Sequence, residues 1–152
     1  MNEQDKLLLL EDLCARLPYG VHCIVYKMNG DIREEDDTIR YIELDNVITY
    51  KSKDDECFML YQIKPYLRPM SSMTDEERRE LNKQGYTRIA GESWHYCALN
   101  LINAFYNPEG YKYVKIEYVI PLLDWLNAHH FDYRGLIEKG LALPATEGMY
   151  ND

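Results

Sequence analysis

The stretch VHCIVYKMNG, positions 21–30, decides how the fold of this chain is read. Its first eight residues are rich in β-branched and aromatic side chains, which suit a pleated, half-buried strand. Asn29-Gly30 then marks a tight hairpin, because both turn positions favour residues that tolerate positive φ. The return arm starts poorly: Arg33–Asp37 reads REEDD, a weak strand sequence and a better solvated loop. Thr38–Leu44 and Val47–Lys51 resume the strand pattern on either side of Asp45-Asn46. After the polar turn Ser52–Glu56, Cys57–Lys64 (CFMLYQIK) reads as a further strand. Four or five short strands within about 45 residues predict a small antiparallel β-sheet or an SH3-like barrel.

Working outward, Glu3–Leu17 carries Leu7, Leu10, Cys14 and Leu17 at helical spacing, with Leu9 and Leu13 widening the stripe. Asn2 or Asp5 is its cap and Pro18-Tyr19-Gly20 its stop. Its apolar face is expected to cover the sheet or plug one end of the barrel. On the other side, Lys64–Met73 contains Pro65 and Pro69 and reads as an extended connector. Thr74 and Glu77 form a capping-box pattern for a polar helix ending near Lys83, before Gly85. Glu92–Tyr106 places Trp94, Cys97, Leu101 and Phe105 on one helical face, and Tyr111–Ile120 alternates like a strand. Pro121 suits the first turn of a helix over Leu122–His129. Asp132 caps a short helix, Tyr133–Lys139, closed by Gly140. The predicted class is α+β: an N-terminal helix, a small antiparallel β-sheet or SH3-like barrel, then a mainly helical C-terminal half. The expected division is a helix-plus-β lobe over 1–66 and a mainly helical lobe with one or two strands over 67–152, or one continuous domain.

Composition narrows the function. The chain has 152 residues, 17 basic and 26 acidic side chains and a net charge of -9. Non-specific nucleic-acid binding needs the opposite balance, so nucleic acid is argued against as a partner. The first 66 residues hold 8 basic and 14 acidic side chains, so the excess concentrates in the β-rich half. No apolar run approaches the roughly 20 residues of a membrane span. The start, MNEQDKLLLLEDL, lacks the basic n-region of a signal peptide, so a cytoplasmic location is expected. Cys14, Cys23, Cys57 and Cys97 form no metal-like spacing and read as reduced, buried thiols.

The chemically suggestive clusters are few. His129-His130-Phe131-Asp132 offers three potential metal ligands, yet neighbours on a helix point about 100° apart, so these are weak metal candidates. His95 and Cys97 lie two apart and face nearly opposite ways on a helix, which excludes a mutual ion pair. Asp31, Glu34, Glu35, Asp36 and Asp37 lack the ligand order of a calcium loop and read as a solvated acidic edge. No G-x-G-x-x-G, P-loop or G-x-S-x-G is present, so no cofactor is expected and no catalytic residue is assigned. The 14 tyrosines are the remaining signal. Tyr41, Tyr50 and Tyr61 fall on predicted strands, where rigid amphipathic rings favour interfaces.

Three stretches, LPYGV (Leu17–Val21), IKPYLRPMSSMTDEE (Ile63–Glu77) and DWLNAHHFDYRGLIEKGLAL (Asp124–Leu143), occur in this order. Together they resemble a group of short, uncharacterised proteins encoded in prophages and other mobile elements of gut Bacteroidales. The resemblance implies a bacterial, intracellular, element-associated setting and carries no activity with it. The expected function is a non-enzymatic protein-interaction module of a prophage or mobile element. It would bind a host or phage protein, or a second copy, through Tyr41, Tyr50, Tyr61, Asp36 and Asp37. Two alternatives are an acidic nucleic-acid mimic or anti-defence protein, and a small His/carboxylate-dependent hydrolase using His95, His129 or His130.

Overall fold

A computed structural model describes residues 1–43, 46–49, 57–89 and 116–150. The chain is α+β. It divides into two compact units, one of Met1–Met70 with Ala128–Asp152 and one of Ser71–Asn127. The first unit therefore extends past the expected boundary at 66, and the C-terminal segment belongs to it rather than to the helical lobe.

In the first unit, helix α1 (Glu3–Arg16) begins at Asn2, whose side chain accepts from the Asp5 N–H at 2.7 Å. It passes through a 3-10 turn, Leu17–Tyr19, and ends on Gly20 at φ 71°, a left-handed geometry suited to glycine. Its buried face is Leu9, Asp12, Leu13 and Arg16, with Leu10 and Leu17 packed partly buried against the core, so of the expected stripe Leu7 and Cys14 are the exposed members. Leu7 is 58% exposed. Four consecutive leucines leave the helical phase open, and the i, i+4 ion pair described below sets it.

Strands β1 (His22–Tyr26) and β2 (Ile32–Glu43) form the hairpin expected from the opening stretch. Only Gly30, at φ 89°, takes positive φ in the turn; Asn29 does not. Gly30 N–H donates to Lys27 O at 2.9 Å and Lys27 N–H to Asp31 O at 2.7 Å, a longer loop than a two-residue turn. The REEDD run is part of β2, not a solvated loop: Val25 pairs with Glu34 and Cys23 with Asp37. Low strand propensity yields here to pairing with an apolar β1, and the charged side chains mostly point to water.

β2 pairs next with β3 (Asn46–Thr49), and β3 with β4 (Cys57–Met59). The expected Cys57–Lys64 strand is broken. A 3-10 turn, Leu60–Gln62, separates β4 from β5 (Ile63–Leu67), which returns to lie antiparallel to β1. A two-residue strand, β6 (Leu143–Pro144), adds parallel to β5, giving the order β4-β3-β2-β1-β5-β6. A four-strand meander, a 3-10 turn and a fifth strand beside the first is the connectivity of a small SH3-like barrel. The long β2 bends through irregular registers to serve both halves. Leu9 and Leu13 of α1 join Val21, Val25, Ile39, Phe58, Ile63 and Leu67 in the core, with Leu136, Leu141 and Ala142 from the returning segment.

In the second unit, α2 (Asp75–Ile89) is capped as expected. Glu77 N–H donates to Thr74 Oγ1 at 3.2 Å and Thr74 N–H to Glu77 Oε2 at 2.8 Å. It continues through Gly85 instead of ending there. Helix α3 (Ile116–Ala128) includes residues expected to be strand, with Pro121 inside it. Its buried positions Val119, Leu122, Trp125 and Leu126 follow helical spacing, which outweighs the short-range alternation. The expected Glu92–Tyr106 helix and Tyr50 lie outside the described residues. No described helix is long and apolar enough to cross a membrane.

Candidate functional site

Two features of the first unit gather chemistry. One is a buried polar and aromatic lock that holds the returning segment. The other is an open groove beside the hairpin.

The lock begins on α1. Arg16 is wholly buried and donates from Nε to Asp12 Oδ2 at 2.7 Å and from Nη2 to Asp12 Oδ1 at 3.0 Å. The same Nη2 donates to Phe131 O at 2.7 Å, which ties the returning segment to the helix. Arg134 Nε lies 3.7 Å from Asp12 Oδ1, adding a second cation to the buried carboxylate. Arg68 N–H donates to His130 O and Asp132 N–H to Arg68 O, both at 2.8 Å, so the segment crosses the end of β5 as a short ladder.

His130 sits in this crossing at φ 57° and is 3% exposed. Its ring stacks on Tyr150, centroids 3.7 Å apart and planes 14° apart. Burial, and then the Arg16 charge, lower its pKa to about 3. It is a neutral core imidazole. The Tyr150 hydroxyl donates to Tyr66 O at 2.7 Å and accepts from His22 N–H at 3.2 Å. Burial raises the phenol further, so it stays protonated. Replacing Tyr150 with Phe keeps the stack and strands two backbone groups. We expect a loss of about 1–3 kcal/mol in urea unfolding; an unchanged midpoint would show that these hydrogen bonds hold nothing.

His22 completes the lock and was not among the residues the sequence singled out. Its Nδ1 lies 2.7 Å from Asp36 Oδ1, and its ring meets Tyr150 edge-on at 5.2 Å. The hairpin register explains the pair: His22 faces Thr38, and Asp36 lies diagonally beside it on the same face. Asn29-Gly30 places residues 36–38 opposite His22 once the acidic run is accepted as strand. A carboxylate on Nδ1 is how a general base is oriented. Among the described residues, however, no hydroxyl or thiol side chain hydrogen-bonds this ring.

The expected metal residues do not converge. His129 is half-buried, and His130 is occupied by Tyr150. Asp132 accepts from Leu136 N–H at 2.8 Å and Ile137 N–H at 2.9 Å. It thus caps as expected, but residues 133–140 form turns rather than a helix. No three His, Cys, Asp or Glu side chains among the described residues form a metal set. His95 and Cys97 lie outside them. Cys23 is buried, whereas Cys14 and Cys57 are exposed, contrary to the expectation for all four thiols.

Of the two acidic residues singled out for interaction, Asp37 is 3% exposed and lies opposite Cys23, whereas Asp36 is exposed with its carboxylate against His22. Tyr41 remains 39% and Tyr61 56% exposed.

Tyr61 leads to the second feature. It sits on the 3-10 turn, and its hydroxyl meets Met28 Sδ at 3.1 Å. Between the hairpin and β4 lies an open groove of about 650 Å³. Residues 26–29 and Arg33 line one side, and Cys57–Met59 with Gln62 the other. Gln62 braces it, donating to Tyr26 O and accepting from Met59 N–H, both at 3.0 Å. Met28 is 80% and Met59 49% exposed. The guanidinium of Arg33 lies over the Phe58 ring at 5.1 Å.

Comparison with known protein families, with curated proteins and with solved structures found no match.

Proposed function

We propose that this chain is a non-enzymatic protein-interaction module of a prophage or mobile element, acting in the bacterial cytoplasm. It binds its partner through the groove between the β1–β2 hairpin and β4. One observation carries the reading: Met28 and Met59 line a braced groove, Tyr61 lies against Met28, and all three remain largely exposed. Large apolar side chains scattered singly need no explanation, but a cluster around a concavity marks an interaction site. Methionine adapts its shape to a partner, and tyrosine contributes area at low entropic cost. The polar lock supports the reading indirectly, since its histidine and tyrosines are consumed in holding the unit together.

The test is a photo-crosslinking residue placed at Met28 and, as control, at Lys139 on another exposed part of the same unit. Expression in a Bacteroidales host carrying the native element should give one discrete adduct from position 28 and none from position 139. Diffuse or absent crosslinking at position 28 would remove the basis of the proposal. With the crosslinker kept at position 28, changing Met59 and Tyr61 together to Asp should abolish the adduct while leaving the far-UV spectrum unchanged.

A further inference from the structure

Two polar atoms of the lock stand apart from its hydrogen bonds. Arg16 Nη1 and His130 Nδ1 are buried and meet no hydrogen-bond partner among the described residues. Arg16 is 0% and His130 3% exposed, so bulk solvent reaches neither. A buried polar atom without a partner is costly, most of all on a charged group, and native interiors match such atoms. The rest of both side chains is committed. Arg16 holds Asp12 through Nε and Nη2, and Phe131 O through Nη2. The His130 ring stacks on Tyr150 and hydrogen-bonds the Tyr19 backbone.

We propose that one internal water bridges Arg16 Nη1 and His130 Nδ1. The chemistry of the two atoms selects this ligand. Arg16 Nη1 can only donate. A neutral imidazole has a single N–H, and that of His130 serves the Tyr19 backbone. Nδ1 therefore carries a lone pair and can only accept. The ligand between them must accept on one side and donate on the other. A lone pair repels an anion and a guanidinium repels a cation, whereas a water satisfies both. The two side chains are neighbours: Arg16 Nη2 donates at 2.7 Å to the carbonyl of Phe131, the residue after His130. The Arg16 charge also acts on the His130 ring and on the Tyr150 phenol stacked with it. The water extends the lock. Nη2 ties α1 to the backbone of the returning segment, and Nη1 ties it through the water to the ring of His130, which it holds as the Nε2–H tautomer.

A high-resolution crystal structure of the native chain, grown with bromide, tests this together with nitrogen-15 spectra of its histidines. The expected result is a density peak about 2.7–3.2 Å from both nitrogens, without anomalous signal from bromide. In solution at pH 7, His130 should be the Nε2–H tautomer, with Nδ1 shifted upfield of a free pyridine-type nitrogen because it accepts a hydrogen bond. Oxygen-17 relaxation dispersion should count one long-lived water fewer in the Asp12→Leu, Arg16→Met variant, which has no N–H at this position, than in the native chain. A direct contact between Nη1 and Nδ1, no density between them, or bromide in that density would each overturn the proposal. So would an Nδ1–H tautomer in the native spectrum, a result that does not depend on how the variant folds.

Discussion

Replacing Asp12 with Ala should destabilise the first unit by about 3–5 kcal/mol, the usual cost of stranding one member of a buried ion pair. Both side chains of the pair are 0% exposed. Without Asp12 the Arg16 guanidinium keeps a single acceptor, Phe131 O, and its Nη1 already lies buried without a hydrogen-bond partner. Arg134, 3.7 Å from the same carboxylate, would then face Arg16 with no anion between them. A loss of that size is a large share of the roughly 5–15 kcal/mol that holds an ordinary domain together. Removing both charges should cost far less, because an apolar pair avoids the desolvation of two ions. Asp12→Leu with Arg16→Met is therefore expected to be more stable than Asp12→Ala alone. Trp125 belongs to the other unit, so hydrogen exchange at amides of α1 and β5 is the suitable readout. Near-native protection in Asp12→Ala would show that the pair carries little; an Asp12→Leu, Arg16→Met variant no better than Asp12→Ala would show that packing, not charge, is lost.

That pair also marks the limit of what could be read from the chain. Local signals were legible. Asn2 capping α1, Thr74 with Glu77 capping α2, and the strand before Asn29-Gly30 each depend on residues a few positions apart, and each formed. The α+β class followed from them. Tertiary pairing was not legible where it opposed local preference. REEDD became strand because β1 offered a partner, and CFMLYQIK broke at Leu60–Gln62 because β5 had to return beside β1. The apolar stripe of α1 was legible in Leu9, Leu10, Leu13 and Leu17, but leucines at positions 7–10 allow several phases, so Leu7 and Cys14 were counted with it, and a buried Arg is improbable until Asp12 and Phe131 O are seen beside it. The His22–Asp36 pair had a readable signal in the hairpin register. The His130–Tyr150 stack had none, since only the folded chain brings the returning segment onto β1 and β5. The groove was not legible: the sequence singled out Tyr61 beside it, while Met28 and Met59 come together only in the fold.

Stability of the first unit should fall as pH drops below about 6.5, and His130 should account for much of it. The folded chain holds this imidazole neutral down to about pH 3, against an ordinary value of 6.5. Burial is the main cause, with Arg16 second and His22 and His129 contributing repulsion; a backbone hydrogen bond to Tyr19 works the other way. Between those two values the unfolded chain binds a proton that the folded chain refuses, so unfolding is favoured as pH falls. Above 6.5 neither state is protonated and the contribution is constant. Going from pH 7 to 4.5 should remove about 2.5 kcal/mol through this group, and below pH 3 the loss should level off at about 4–5 kcal/mol. His130→Asn is the informative variant, since Asn tolerates the positive φ at this position and does not titrate. It should be less stable than the native chain at pH 7, having lost the stack on Tyr150, yet its stability should fall less between pH 7 and 4.5 by about the same 2.5 kcal/mol. Equal slopes in the two proteins would mean that His130 takes its proton without leaving the lock. Because the ring stacks directly on Tyr150, protonation should first release residues 143–150 and only then the barrel. Exchange protection of Ala145, whose N–H donates to Leu67 O at 2.8 Å, should therefore fall at a higher pH than that of the β1–β2 pairs.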